Sequence, residues 1–404
     1  MKYDFSSIID RRGMDATAYD SVGQYKWGIE PTLPKDGFDF IPMWVADMNF
    51  ATAPAITDAI IRRTEHPLFG YFNYSDEYFQ SIIDWRQAGG YHQDLERKHI
   101  GYENGVHGFL ASAVKTLSKP GDPILLHSPV YVGFREDVEG LGRRSVYSPL
   151  VQDADGTWRM DYEDMDRKIK EHGIRLVIFC SPHNPSGRVW ELSELTRALE
   201  VFEANDVTVL CDEIWADLVF PGHTHIPLQC VNAWAREHVA AAYAPSKTFN
   251  LAGLIGSYHI IYSDELREKI TRIGEDTHYN EMNVLSMHAL IGAYSAEGRE
   301  WTNELLSVLE ANAEYAYSFI KEHFPGIHVQ MPEGTYMMFL DLTDYCAASG
   351  RSLEEILHAG WNVGVGWQDG RQFEGPCHIR LNLASPRSMI EEAFARMEKY
   401  VFIA

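Results

Sequence analysis

Five short apolar runs between residues 122 and 263 constrain the fold more than any other feature of this sequence. They are DPILLHSPVY (122–131), RLVIFCSP (175–182), VTVLCDEI (207–214), VAAAYAPS (239–246) and LIGSYHIIYS (254–263). Several are separated by stretches such as DYEDMDRKIKEHG and ELSELTRALEVFEAND, in which apolar residues recur about every three or four positions, as in an amphipathic helix. Alternating strands and helices predict an α/β domain around a mostly parallel sheet.

The rest of the sequence predicts a smaller second unit. The pattern from about 265 to 322 is mainly helical, and IHVQMP, TYMMFLDLT and CHIRLNLAS then alternate like the strands of an α+β domain. We therefore expect a large domain over 46–288, a small C-terminal domain over 289–404, and an N-terminal segment, 1–45, that packs with the small domain. No repeat, low-complexity tract or long linker interrupts this organisation.

The charge balance limits the classes of partner. The chain of 404 residues has 35 basic and 58 acidic residues, for a formal net charge of −23. Such a surface disfavours nucleic acid and anionic membranes, so any anionic ligand must be held by local cationic or backbone groups.

The cysteines and the N-terminus indicate a location. Five cysteines, an odd number without C-x-x-C spacing, are typical of reduced thiols in a cytoplasmic protein. The first residues are polar, and no window is apolar enough for a membrane helix. We expect a cytoplasmic protein with no membrane segment, and we predict no metal site.

Polar or conformationally special residues follow four of the five apolar runs, in HSPVY, CSPHNPSG, CDEIW and APSKTFN. In open α/β sheets, ligands bind beyond the carboxyl ends of the strands. These four endings therefore predict one ligand site.

Lys247 and Asp212 carry the clearest chemistry at these strand ends. A lysine directly after a buried strand is desolvated, which disfavours the ammonium and prepares the amine to react with an aldehyde. An ionised carboxylate at a strand end needs a cationic or hydrogen-bonding partner, and a protonated pyridine nitrogen would serve for Asp212. For the adjacent Glu213, we favour a structural role.

Four further positions suit a small ligand. Asn184 lies between two prolines and offers both an amide donor and a carbonyl acceptor. Gly105 precedes a helix-like run whose backbone N–H groups could hold a phosphate, and Tyr131 could place its ring against another aromatic ring. Arg380 lies within an alternating strand, where it needs either a bidentate anion or an internal salt bridge; the sequence leaves both open.

With these residues in place, the sequence resembles the fold-type I, pyridoxal-phosphate-dependent class I/II aminotransferase superfamily, which has the aspartate aminotransferase-like fold. It is most similar to the cystathionine β-lyase-like C–S lyases, the branch that includes the maltose-regulon repressor lyase. The motifs that carry the resemblance are FDFIPMWVADMNFATAPAI, FGYFNY, HSPVYVGF, CSPHNPSGRVW, DEIWADLVF, APSKTFNLAG and IRLNLASPRS, in family order and spacing over essentially the whole chain.

The resemblance implies a role for each matching residue. Lys247 would be the Schiff-base lysine and Asp212 the partner of the pyridinium nitrogen, and Arg380 would bind the substrate α-carboxylate. Asn184 would donate a hydrogen bond to the phenolic oxygen of the cofactor and also border the substrate, and Tyr131 would stack on the ring. The backbone of Val106 and His107, with Ser246, would bind the phosphate. Tyr71 would bind the phosphate of the neighbouring subunit in a homodimer.

Two positions depart from the family pattern. Trp215, at a cofactor-binding position, stands where the family usually has histidine or tyrosine; an indole N–H donates one hydrogen bond but neither accepts nor titrates. Asn49 replaces the aspartate of M-W-V-A-D-M-D-F, in a segment near the family's substrate entrance, where a lost charge could alter which side chain is accepted.

Three functions are compatible with these residues. The first is α,β-elimination from S-substituted L-cysteines, which yields pyruvate, ammonia and a thiol. The others are amino transfer from an L-amino acid to a 2-oxo acid, and a regulatory protein that keeps the cofactor fold. A dehydrogenase is disfavoured because no G-x-G-x-x-G turn opens an early helix. The likeness of the local motifs to the lyase branch favours elimination.

Overall fold

The computed structural model describes residues 1–26 and 28–403 and contains a large mixed sheet and a smaller antiparallel one. The strands of the described residues are β1 (Ile41–Pro42), β2 (Ile100–Glu103), β3 (Pro123–Ser128), β4 (Arg144–Pro149), β5 (Val151–Gln152), β6 (Trp158–Arg159), β7 (Leu176–Cys180), β8 (Thr208–Asp212), β9 (Val239–Tyr243), β10 (Ser257–Ile260), β11 (Met337–Asp341), β12 (Val365–Gly366), β13 (Gln368–Asp369) and β14 (His378–Asn382).

The helices precede, separate and follow these strands. They are α1 (Thr17–Asp20), α2 (Pro54–Glu65), α3 (Asp76–Gln87), α4 (Val106–Leu117), α5 (Val132–Gly140), α6 (Tyr162–His172), α7 (Leu192–Ala204), α8 (Ala233–His238), α9 (Asp264–Thr277), α10 (Val284–Ala293), α11 (Ala296–His323), α12 (Thr343–Ser349), α13 (Leu353–Asn362) and α14 (Arg387–Arg396). None of the helices in the described part of the chain is long and apolar enough to cross a membrane.

The large sheet has seven strands in the order β2-β10-β9-β8-β7-β3-β4. Neighbouring strands are parallel except around β10, which runs antiparallel to both β9 and β2. Both faces of the sheet are buried: Val177 and Phe179 face one apolar cluster, while Leu176 and Ile178 face the other. Burial on both sides explains why these strands read as continuous apolar runs, and the predicted α/β class is confirmed.

The smaller sheet is antiparallel, in the order β11-β14-β13. Two of its strands fall within the predicted segments TYMMFLDLT and CHIRLNLAS. The third predicted strand, IHVQMP, is wrong, since His328 forms only an isolated bridge with Asp341. Near the small sheet, β1 of the N-terminal segment pairs in parallel with β12.

Candidate active site

A cavity of about 240 Å³ opens at the carboxyl ends of the parallel strands. Asp212 is the last residue of β8, and Lys247 follows β9 by four residues, so the strand order places both at the same edge of the sheet. Nine of the residues singled out in the sequence line this cavity: Gly105, Val106, His107, Tyr131, Asn184, Asp212, Trp215, Ser246 and Lys247.

One end of the cavity is the N-terminus of α4. Gly105 precedes the helix with φ of 83°, a conformation that other residues rarely adopt, and no side chain caps the helix. The first backbone N–H groups, including those of Val106 and His107, therefore lack intrahelical partners, and at the cavity they could bind an anion. Ser246 and Ser257 also border the cavity.

His107 links this helix to Tyr131. Its Nδ1 lies 2.9 Å from Asp137 Oδ2 and its Nε2 lies 3.2 Å from the Tyr131 hydroxyl. Burial lowers the pKa of His107, but the bond to and charge of Asp137 outweigh burial and leave this pKa above its ordinary value. The contact holds the Tyr131 hydroxyl at the cavity wall.

Asp212 is buried and Lys247 is partly buried, and both ionisable groups have few partners among the described residues. Burial raises the pKa of Asp212 to about 6, although its Oδ1 accepts a 3.0 Å hydrogen bond from the Ile214 backbone N–H. Burial lowers the pKa of Lys247 to about 8, and Nζ donates a 2.9 Å hydrogen bond to the Ala46 carbonyl. A cationic ring nitrogen beside Asp212 would supply the missing counter-charge.

Glu213 has different surroundings from Asp212. Its carboxylate accepts hydrogen bonds from His225 Nε2 at 2.8 Å and from the Leu228 backbone N–H at 3.0 Å. Burial raises the pKa of Glu213, but the charge of and hydrogen bond from His225 outweigh this effect and lower it overall. Glu213 does not line the cavity, and its contacts fit the structural role we favoured.

Arg380 reaches Asn184 from the small sheet. Its Nη1 donates to Asn184 Oδ1 at 3.2 Å, and its Nη2 donates to the Trp44 carbonyl at 2.9 Å and to Gln368 Oε1. Within the described residues, Arg380 forms no salt bridge and its buried Nε has no hydrogen-bond partner. The internal salt bridge that the sequence left open is therefore not formed there, and this guanidinium can receive a carboxylate ligand.

The remaining predicted positions lie in three different settings. Trp215 is buried in the cavity wall and packs edge-to-face on Tyr336 at 4.7 Å between ring centroids. Asn49 is buried away from the cavity lining, accepts from Arg11 at 3.0 Å and donates to Ser385 Oγ at 2.8 Å. Tyr71 is fully exposed on this chain.

Sequence reasoning missed two parts of the site. The Ala46 carbonyl holds Lys247, and a backbone group gives no signal in residue type. Gln368, which accepts from Arg380, belongs to a two-residue strand too short for an alternating pattern. Among residues 1–26 and 28–403, no group of three or more His, Cys, Asp or Glu side chains could hold a metal ion.

The fold and the cavity together define a class. Residues 39–397 match the family described as aminotransferase class I and II, and the chain belongs to this family. It is 30% identical to cystathionine beta-lyase PatB of Bacillus subtilis over 98% of each chain, and 30% identical to protein MalY of Escherichia coli over 97% of each chain. The resemblance predicted from the motifs is thus confirmed.

Solved structures agree with this assignment. The PLP-bound C-S lyase from Staphylococcus hominis has a TM-score of 0.89 and 28% identity, with 100% of this chain and 99% of that chain covered. A PLP-bound putative aminotransferase from Clostridium difficile has a TM-score of 0.89 and 32% identity, with 98% of this chain and 99% of that chain covered.

Proposed function

We propose that this protein is a pyridoxal 5′-phosphate-dependent carbon–sulfur lyase. It would convert S-substituted L-cysteines such as L-cystathionine, with water, into pyruvate, ammonia and a thiol. The observation that carries the proposal is that Lys247 and Asp212 line one cavity, that Arg380 reaches Asn184 of the same lining, and that none of the three has a counter-ion within the described residues. Relatives named cystathionine beta-lyase and C-S lyase support this substrate class.

The residues present fit this cofactor. Asp212 offers an ionisable carboxylate for the pyridinium nitrogen, and the free N–H groups at the start of α4 suit the phosphate. Asn184 Nδ2 can donate to the phenolic oxygen while its Oδ1 accepts from Arg380. Tyr131, fixed by His107, can cover the ring. These roles are our proposals.

Pyridoxal phosphate, when bound, supplies a ring that withdraws electrons from the substrate Cα. The protein selects the bond that breaks. Lys247 can remove the Cα proton because burial brings its pKa to about 8, so a useful fraction of the amine is neutral near physiological pH. Arg380 would hold the α-carboxylate and orient the Cα–H bond, and Asp212 would keep the ring nitrogen protonated.

Supply of a 2-oxo acid separates elimination from amino transfer. Holoenzyme is incubated with L-cystathionine in the absence of any added oxo acid, and pyruvate is followed with lactate dehydrogenase. A lyase releases pyruvate continuously. Turnover that requires an added 2-oxo acid would contradict the proposal and make the protein an aminotransferase.

We also propose that the enzyme is a homodimer in the cytoplasm. Leu68, Phe69 and Tyr71 are exposed together on one loop, and a second copy would cover them and receive the Tyr71 hydroxyl at its phosphate. Light scattering measures the mass, and hybrids of Tyr71→Ala with Lys247→Ala chains should regain activity that neither variant has alone.

All five cysteines are free thiols, which favours a reducing compartment.

A further inference from the structure

The Ala46 carbonyl receives two hydrogen bonds inside the protein. Lys247 Nζ donates to this oxygen at 2.9 Å, and the Tyr336 hydroxyl donates to it at 3.0 Å. A carbonyl oxygen has two lone pairs, so these two donors together satisfy it. Ala46 lines the cavity, whereas Tyr336 does not.

The Tyr336 hydroxyl is fixed by packing. The side chain lies directly before β11, is 2% exposed, and meets the indole of Trp215 edge-to-face with an interplanar angle of 73°. Burial raises the pKa of Tyr336 well above its ordinary value, so the hydroxyl keeps its proton and acts as a donor.

The peptides on either side of Ala46 are also held. Asn382 Nδ2 donates to the Val45 and Asp47 carbonyls, each at 2.6 Å. On β14, Asn382 lies two residues from Arg380 and therefore on the same face of the strand. The small sheet thus fixes both neighbours of Ala46, and Tyr336 fixes the orientation of its oxygen.

We propose that Tyr336 is a positioning residue for the free amine of Lys247, acting through the Ala46 carbonyl; this inference rests on the proposed function. A neutral amine that donates one N–H to a fixed oxygen has only two tetrahedral directions left, and its second hydrogen and its lone pair share them. With Tyr336 occupying one lone pair of that oxygen, Lys247 donates to the other, and its own lone pair can then point away from Ala46 into the cavity. That is the orientation needed both for reaction with an aldehyde and for removal of a proton.

Removal of the Tyr336 hydroxyl should change both the orientation and the basicity of Lys247. The Ala46 oxygen would lose one of its two donors and accept more strongly from an ammonium, which favours the charged form of the lysine. The other influences on Lys247 stay in place: burial and Arg380 lower its pKa, and Asp47 and Asp212 raise it. The protonation midpoint of Lys247 should therefore move to higher pH.

The test compares Tyr336→Phe with Tyr345→Phe. Tyr345 is also buried, and its hydroxyl contacts the Val401 carbonyl at 3.4 Å, remote from the cavity lining, which makes it a matched control. Apoenzyme is mixed with saturating pyridoxal phosphate at a series of pH values, and the limiting rate of growth of the visible band measures the reactivity of the amine. Steady-state kcat and KM are measured on the holoenzymes.

For Tyr336→Phe we expect a limiting rate about fivefold to tenfold lower, the loss that corresponds to one hydrogen bond, and a midpoint about half a pH unit higher. kcat falls in parallel and KM stays close to wild type, because Arg380 keeps its contacts. Tyr345→Phe behaves as wild type. A Tyr336→Phe protein with wild-type rate and midpoint overturns the proposal.

A second variant guards against simple misfolding. Difluorotyrosine at position 336 keeps the ring and strengthens the hydroxyl donor, so the midpoint should move to lower pH; no movement contradicts the proposal. If wild-type apoenzyme forms no visible band with pyridoxal phosphate, both the proposed function and this inference are wrong. If the wild-type band forms normally and the variants have the wild-type rate and midpoint, only this inference is wrong.

Discussion

Asp212 and Glu213 are adjacent at the end of β8, but their side chains have different surroundings. On the cavity side, Asp212 accepts one backbone hydrogen bond, and burial raises its pKa to about 6. On the interior side, Glu213 accepts from His225 and from the Leu228 N–H, and its pKa is lowered. Burial alone therefore does not identify a functional carboxylate. A buried carboxylate with few hydrogen-bond or charge partners is the better candidate.

The same contrast separates two buried arginines. Arg188, on the interior side, bonds to Glu194 at 2.6 Å and also to Glu333. Arg380, which reaches Asn184 of the cavity lining, bonds to neutral oxygens, and burial lowers its pKa to about 10. Arg188 thus has carboxylate partners within the protein, whereas Asp212, Lys247 and Arg380 have no ion-pair partner among the described residues.

The largest effect should come from Lys247→Ala. Turnover of L-cystathionine should fall by about a thousandfold or more, because the variant lacks both the amine that binds the cofactor and the general base. Lys168→Ala is the control: that half-buried lysine lies 3.0 Å from Asp164 and far from the cavity lining, so turnover should be unchanged. Full activity in Lys247→Ala would overturn the mechanism.

Asp212→Asn and Glu213→Gln should separate function from stability. Asp212→Asn removes the charge beside the ring nitrogen and should lower kcat by about a hundredfold. Glu213→Gln should keep kcat within about threefold while it lowers the free energy of unfolding by about 1–3 kcal/mol, since a buried charged hydrogen bond to His225 is weakened. Steady-state kinetics measure kcat, and urea unfolding measures the free energy of unfolding. Equal losses of kcat in the two variants would show that Asp212 and Glu213 do not differ in function.

The stability of the apoenzyme should depend on pH through Asp212. Its folded pKa of about 6 lies above the ordinary value of 3.8, so folding favours the protonated form. Well below pH 3.8 the group is protonated in both states and has no effect; between about pH 4 and 6 the unfolded chain ionises before the folded one, and above pH 6 the cost levels off at about 3 kcal/mol. Apo Asp212→Asn should therefore be more stable than wild type at pH 8, with a difference that shrinks below pH 6 and vanishes near pH 3.

Pyridoxal phosphate should cancel this penalty. Bound cofactor supplies the counter-charge, so at pH 8 the stability gain of Asp212→Asn should disappear or reverse in the holoenzyme. Thermal unfolding of both proteins, with and without cofactor, measures the difference. An apo variant no more stable than wild type at pH 8 would show that Asp212 is better satisfied than its contacts indicate.

A smaller effect should separate the two arginines. Arg380→Lys should raise KM for L-cystathionine by about tenfold with little change in kcat, because an ammonium cannot form the bidentate contact with a carboxylate. Arg188→Lys should leave KM unchanged and lower the free energy of unfolding by about 1–2 kcal/mol. An unchanged KM in Arg380→Lys would place the carboxylate elsewhere.

The sequence predicted the centre of the large sheet better than its edges. The runs that became β3, β7, β8, β9 and β10 are apolar because both faces of the sheet are covered there. The edge strands β2 (Ile100–Glu103) and β4 (Arg144–Pro149) were not predicted. Both carry polar residues, and their strand structure depends on pairing with distant segments.

The same distinction applies to the site. The positions of Lys247, Asp212 and Asn184 were predictable because each lies at or shortly after the end of a strand that the apolar pattern locates. The Ala46 carbonyl and Tyr336 were not, because their roles arise from hydrogen bonds between segments about 200 to 290 residues apart. Residue type identifies the groups that carry charge, and only the fold identifies the groups that orient them.

Borohydride reduction of the holoenzyme followed by peptide mapping shows which lysine holds the cofactor. If the buried charges at the cavity side form the cofactor site, the visible band disappears and the reduced pyridoxyl group is found on Lys247 alone. A label on another lysine, or protein that stays colourless with pyridoxal phosphate, would contradict the account.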